Sequence, residues 1–123
     1  MKVILSIKPE FANKIFEGTK KYEFRRAIFK NPNVKKVVVY SSSPVRKIIG
    51  EFEIEHILIH DLETLWNKTK KHAGISEGYF FQYFNDKGLG YAIKIKKPRL
   101  YREPKCIRVD YNLFPPQSFL YLG

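Results

Sequence analysis

Lys20, Glu23 and Arg25 fall within one ten-residue stretch, EGTKKYEFRR at positions 17–26, and are residue types that move protons and grip anions. In an extended strand residues two apart share a face, so Glu23 and Arg25 project together while Tyr22 and Phe24 turn the other way. A cleft on the charged face would desolvate Lys20, lower its pKa and make it a base or nucleophile. The Arg25 guanidinium would then hold a phosphate or carbonyl oxygen. On a solvated face the same residues are an ordinary ion-paired strand surface. The spacing alone leaves both open.

Nothing else in the chain carries a stronger chemical signal. His56 and His60 are four apart but on a strand with a bulge, and His72 sits in a lysine-rich helix end, so neither metal nor cofactor is expected. Cys106 is the single cysteine, which rules out an internal disulfide and makes a reducing cytoplasm the default. No G-x-S-x-G elbow occurs. The turn Ser41-Ser42-Ser43-Pro44 beside Arg46 and Lys47 has hydroxyls and backbone amides that could hold a phosphate. Tyr79, Phe80, Tyr83 and Phe84 form an aromatic stripe best read as core, although Tyr79 or Tyr83, being amphipathic, could line a pocket.

Charge narrows the partner. Twenty-three Lys and Arg against twelve Asp and Glu leave a net charge of +11 on 123 residues. The basic residues gather at 20–30, 35–47, 68–72 and 94–105 instead of scattering, which favours RNA or a nucleotide as partner, with an acidic protein as the weaker alternative. No apolar run approaches the length of a membrane span, no basic amphipathic helix has a broad apolar face, and MKVILSIKPE reads as a first strand, not a signal peptide.

These residues must be positioned by a single domain, 1–123, since no repeat or linker divides the chain. Val3, Leu5 and Ile7 mark a first strand. Pro9 opens a helix with Phe11, Ala12, Ile15 and Phe16 on one stripe, and Gly18 caps it. Strands follow at 21–26, at 36–40 (buried on both sides) and from about Val45 to Ile59, the last changing phase as a bulge near Gly50 or His56 would make it do. Asp61 caps a helix ending at Gly74, and Ser76 caps a second. A turn at 85–88 leads into a strand at 91–95, a loop spans 98–104, and a last strand covers about 106–111. The order β-α-β-β-β-α-α-β-β predicts an α+β fold, a small mixed β-barrel with helices packed at its ends.

Gly18-Thr19-Lys20-Lys21-Tyr22-Glu23-Phe24-Arg25 fits G-x-K-x-x-x-x-R, and here the chain resembles the ASCH domains of the PUA-like superfamily. The resemblance continues through Leu5–Pro9, Tyr40–Pro44 with Gly50, Tyr83-Phe84, Gly90–Ile93 and Pro115–Phe119, essentially the whole chain. It looks like the stand-alone prokaryotic type often labelled a predicted transcriptional regulator. It implies a small barrel with a cleft beside the signature strand that binds RNA or a modified nucleotide. On that footing Lys20, Arg25, Arg26 and Arg46 contact phosphate or base, with Ser42, Ser43 and Gln117 adding neutral hydrogen bonds. Some members are enzymes: one type deacylates N4-acylcytidine with a Lys, a Thr and a Glu, and another cleaves RNA. Lys20 matches the Lys, Glu23 stands where that type has Thr, and Glu77 is the nearest candidate for the Glu. An enzyme would thus use Lys20 and Glu23 as its acid–base pair.

Overall fold

The computed structural model describes all 123 residues, Met1–Gly123. In chain order its elements are β1 (Lys2–Ile7), α1 (Pro9–Glu17), β2 (Tyr22–Arg25), β3 (Lys36–Ser41) and β4 (Lys47–Asp61). Next come α2 (Leu62–Thr69), a 3-10 turn (Lys70–His72), α3 (Glu77–Tyr83), β5 (Leu89–Lys105), α4 (Ile107–Tyr111) and β6 (Phe119–Leu122). The six strands form one mixed sheet in the order β2-β5-β4-β3-β1-β6, in which only β1 and β3 run parallel.

The apolar pattern explains the layers. Val3, Leu5 and Ile7 of β1 join Val37 and Val39 of β3 against Ala12 and Ile15 of α1. The alternate residues Ile4, Val38 and Tyr40 pack on the other face with Ile48 and with Ile107 of α4. Both faces of these central strands are covered, which is why their sequences are nearly continuous in Val, Ile and Leu. A third cluster, Phe24, Leu65, Phe80, Phe84 and Ala92, lies under α2 and α3 and contains the aromatic stripe of the sequence. Gly18 closes α1 in the left-handed conformation at φ 91°, its N–H donating to the carbonyls of Lys14 and Ile15. Asp61 and Ser76 accept the amides of Thr64 and Tyr79 as N-caps, each at 3.1 Å. No helix is long and apolar enough to cross a membrane.

The β4–β5 ladder slips between Ile48 and Gly50, between Glu51 and Glu53 and between Ile54 and His56, so irregularities lie at both positions offered for the one bulge expected, with a third between them. At the first, a Cβ on Gly50 would lie 2.6 Å from the Arg99 carbonyl oxygen and from the Phe16 ring, so the close crossing needs glycine.

Three expectations are corrected. The sheet is not a closed barrel. Its edge strands β2 and β6 are only four residues each, and no backbone ladder joins them. Residues 107–111 are helix, not strand. Ile107 and Val109 alternate as a strand would, but one helical turn buries Ile107 with Tyr111 and leaves Val109 81% exposed. The Asp110 carboxylate accepts the Cys106 N–H at 2.8 Å and Asn112 ends the turn at φ 56°. The final strand is instead Phe119–Leu122, antiparallel to β1, so α4 precedes the last strand in the element order. Residues 98–104 belong to β5, yet their pairing is broken: Leu100 and Lys105 sit opposite Gly50 and Ile48, so Tyr101–Pro104 bulge off the sheet.

Candidate functional site

The left-handed turn at Gly18 ends α1 and sends the chain at once into β2, placing Lys20 in the short link between them. Lys20 is 2% exposed. Its ammonium donates to the Ala73 carbonyl at 2.7 Å and sits 4.8 Å from the centroid of Phe24 and 5.4 Å from that of Phe11. The segment after α2 is shaped to receive it. The Lys21 amide donates to the His72 carbonyl, and Lys14 Nζ to the Gly74 carbonyl at 3.1 Å. Gly74 has φ 70°, and a Cβ there would fall 2.6 Å from Cβ and Cγ of Lys20. Burial pulls the Lys20 pKa from 10.5 down to about 8; Glu23 pushes it back up, and Lys14 adds to the depression.

Glu23 and Arg25 share the face opposite the aromatic cluster, both buried, and form an ion pair at 3.1 Å. Arg25 is also tied to protein oxygens on the far side of the sheet. It donates to the Ser6 carbonyl at 3.2 Å, to the Ser118 carbonyl at 3.1 Å and to Ser118 Oγ at 2.9 Å. It thereby links the end of edge strand β2 to the segment before edge strand β6. Where a closed barrel would have a backbone ladder, a guanidinium stands.

Lys20, Glu23 and Arg25 line one cavity of about 220 Å³, together with Gln117 and the rings of Phe11, Phe24, Tyr79 and Tyr83. Ligand pockets usually start at about 300 Å³, so this one takes a single ring system and not an extended molecule. Tyr79 and Tyr83 stack with centroids 6.4 Å apart and planes 10° apart. The Tyr83 hydroxyl donates to the Phe24 carbonyl at 3.2 Å, and burial raises its pKa, so it stays a donor.

The other sequence candidates lie elsewhere. Arg26 is exposed and donates to the Tyr83 carbonyl at 3.3 Å, outside the cavity. Ser43 and Arg46 are exposed, Ser42 is half-buried with its amide on the Ile7 carbonyl, and none of the three lines the cavity. Glu77 is exposed at the start of α3, also off the lining. Sequence reasoning missed Phe11, Ser6 and Ser118. Phe11 was absorbed by its helical stripe, and the two serines meet Arg25 from opposite ends of the chain, which no local pattern reveals.

Fold and cavity together define a class: a curled α+β sheet whose open seam holds a buried, aromatic-walled cationic site. Residues 5–99 match the ASCH domain model, and the chain belongs to the ASCH domain family. It is 31% identical over 122 residues to a Zymomonas mobilis protein named ASCH domain-containing ribonuclease, covering 97% of this chain and 82% of that one. The crystal structure of ASCH from Zymomonas mobilis superposes with a TM-score of 0.89 at 30% identity, over 99% of this chain and 87% of the other. Two Ureaplasma parvum proteins, ATP synthase subunit alpha (34% identical over 122 residues) and large ribosomal subunit protein uL22 (31% over 121), each match 98% of this chain. The chain spans only 15% and 39% of their lengths.

Proposed function

We propose that this ASCH domain binds RNA in the cytoplasm and takes the base of one nucleotide into the Lys20–Glu23–Arg25 cavity. The observation that carries this is a buried lysine and a buried arginine–carboxylate pair facing one ring-sized, aromatic-walled space. Tyr79 and Phe11 offer stacking surfaces, Gln117 a neutral donor and acceptor, and Glu23 an acceptor for a base amino group. Arg25 already donates to three protein oxygens besides Glu23, so it fixes that carboxylate and adds positive potential at the seam. Arg26, Arg46, Ser42 and Ser43 lie off the cavity and would meet the strand outside it.

Binding of a labelled single-stranded RNA tests this reading. Lys20→Met and Arg25→Ala should weaken it by roughly tenfold or more, and Lys70→Ala on the exposed 3-10 turn by about twofold, with log affinity falling linearly in log salt. Equal losses at all three would leave only nonspecific charge attraction.

A second reading, RNA cleavage, is favoured by the depressed Lys20 pKa and by the named activity of the Zymomonas relative. A neutral Lys20 amine that donates one N–H to Ala73 keeps its lone pair for a proton, as a base on a ribose 2′-hydroxyl requires. Glu23 is paired with Arg25 at 3.1 Å beside it. The cleavage rate should then rise with pH toward about 8 and level off. Turnover that survives Lys20→Met would remove the lysine from the chemistry and leave the binding reading intact.

A further inference from the structure

The cavity uses few of the basic residues. Across the sheet a separate groove of about 480 Å³ is lined by Lys2, Arg99, Tyr101, Arg102, Lys105 and Glu51, with Glu103 and Tyr111 at its sides. Glu51 sits opposite Val38 in the β3–β4 ladder, so it faces the α4 side, whereas Val39 and the cavity residue Ile7 belong to the α1 side. The two openings thus lie on opposite faces of the sheet.

The groove is built around one buried carboxylate. Glu51 accepts from the Tyr101 hydroxyl at 2.8 Å and pairs with Arg99 at 3.3 Å, Lys2 at 3.5 Å and Lys36 at 3.7 Å. Its side chain is 8% exposed, while those of Lys2, Lys36 and Arg99 are 43%, 41% and 64% exposed. One carboxylate cannot neutralise three cations, so the trio is gathered yet open to solvent. The Tyr101 ring, at the start of the bulge and packed on the α4-side cluster, carries the Arg99 guanidinium and the Lys105 ammonium, each 5.1 Å from its centroid. Five cations (Lys2, Lys36, Arg99, Arg102 and Lys105) face two carboxylates, Glu51 and Glu103. Cations spaced around a half-buried aromatic ring offer a single-stranded nucleic acid contacts for its phosphates, with an aromatic edge beside them for a base. Apart from Glu51 and Arg99, the lining residues lie outside the 5–99 segment that matches the ASCH model, so the groove does not follow from family membership.

We infer that this groove is a second binding surface for the phosphate backbone of single-stranded RNA. It tracks the strand away from the nucleotide held in the Lys20 cavity and rests on the RNA-binding reading of that cavity. The test compares a labelled RNA of about 15 nucleotides with a dinucleotide, on wild type, on Arg99→Gln/Lys105→Gln, on Tyr101→Leu, and on a Lys70→Gln/Lys87→Gln control matched in charge. The groove variant should bind the long RNA roughly tenfold more weakly, with its salt slope reduced by about 1.4 for two lost phosphate contacts. Its dinucleotide binding should be unchanged, and the control should lose about twofold. Tyr101→Leu should weaken long RNA without changing the salt slope, because stacking carries no counterions. Thermal melts at wild-type values would exclude misfolding as the cause.

Long-RNA affinity and slope equal to those of the control overturn the groove while leaving the cavity reading standing. Loss of both RNAs in Lys20→Met, with the groove variant still binding the long RNA as wild type does, does the same. A groove variant that loses a poly-glutamate peptide but no RNA overturns the proposal in favour of an acidic protein partner. Absence of RNA binding by the wild type overturns both.

Discussion

Two buried charges on opposite faces of this sheet are handled in opposite ways. Lys20 is sealed under the 72–74 segment with two aromatic faces and one carbonyl for company, and its pKa falls to about 8. Burial also works against the charge of Glu51, but the Tyr101 hydroxyl, Lys2 and Arg99 more than offset it, and its pKa falls below the usual carboxylate value. Lys20 is thus a charged group pressed toward neutrality, whereas Glu51 is held ionised and holds its cations in turn. Burial alone decides neither outcome; the partners do. A cation pressed toward neutrality suits proton transfer, and a carboxylate ringed by exposed cations suits display of positive charge.

The comparison breaks most severely at Gly74. A Gly74→Val substitution puts a branched Cβ at positive φ and against the Lys20 stem, so it should cost about 3 kcal/mol, read as a lower denaturant midpoint, and open the cavity. Next is the pH response of Lys20. Below about pH 8 folded and unfolded chains are both protonated there, and the cost of burying the ammonium stands in full. Between about 8 and 10.5 only the unfolded chain keeps the proton, so stability climbs with pH, by about 3 kcal/mol over the whole window. Denaturation series across that window should show the climb in wild type and not in Lys20→Met.

Glu51→Gln probes the other face and should cost about 1–2 kcal/mol. Its signature lies at the acid end. A carboxyl whose folded pKa is lowered contributes stability above its ordinary value and loses it as pH falls through the folded value, so the variant should flatten that limb. The smallest effect is expected at the seam: Ser118→Ala removes one hydroxyl acceptor from Arg25 at a cost of about 1 kcal/mol in a thermal melt. Its carbonyl contact remains.

What could be read from the sequence was local. Alternation in EGTKKYEFRR put Glu23 and Arg25 on one face, Gly18 marked its own left-handed cap, and the phase change along β4 signalled an irregular ladder, though as one bulge where three slips occur. Distant pairings were hidden. Arg25 meets Ser118 across 93 positions, and Lys20 meets Ala73 across 53, through contacts with no signature in either segment. The short helix 107–111 was hidden differently, because Ile107 and Val109 imitate a strand and only burial tells that one of them faces water. The groove at Glu51 was overlooked because its lone carboxylate sits in a run of alternating Glu and apolar residues typical of a solvated strand face.

Lys20 as a desolvated amine facing a base-sized cavity is tested most directly by its own titration. The side-chain nitrogen of Lys20, observed by NMR in nitrogen-15-labelled protein and assigned through Lys20→Met, should titrate with a midpoint of about 8. That midpoint should move upward when a dinucleotide seats a base in the cavity and brings its phosphate to the opening. A midpoint at the ordinary lysine value of 10.5, indifferent to the dinucleotide, would contradict the account.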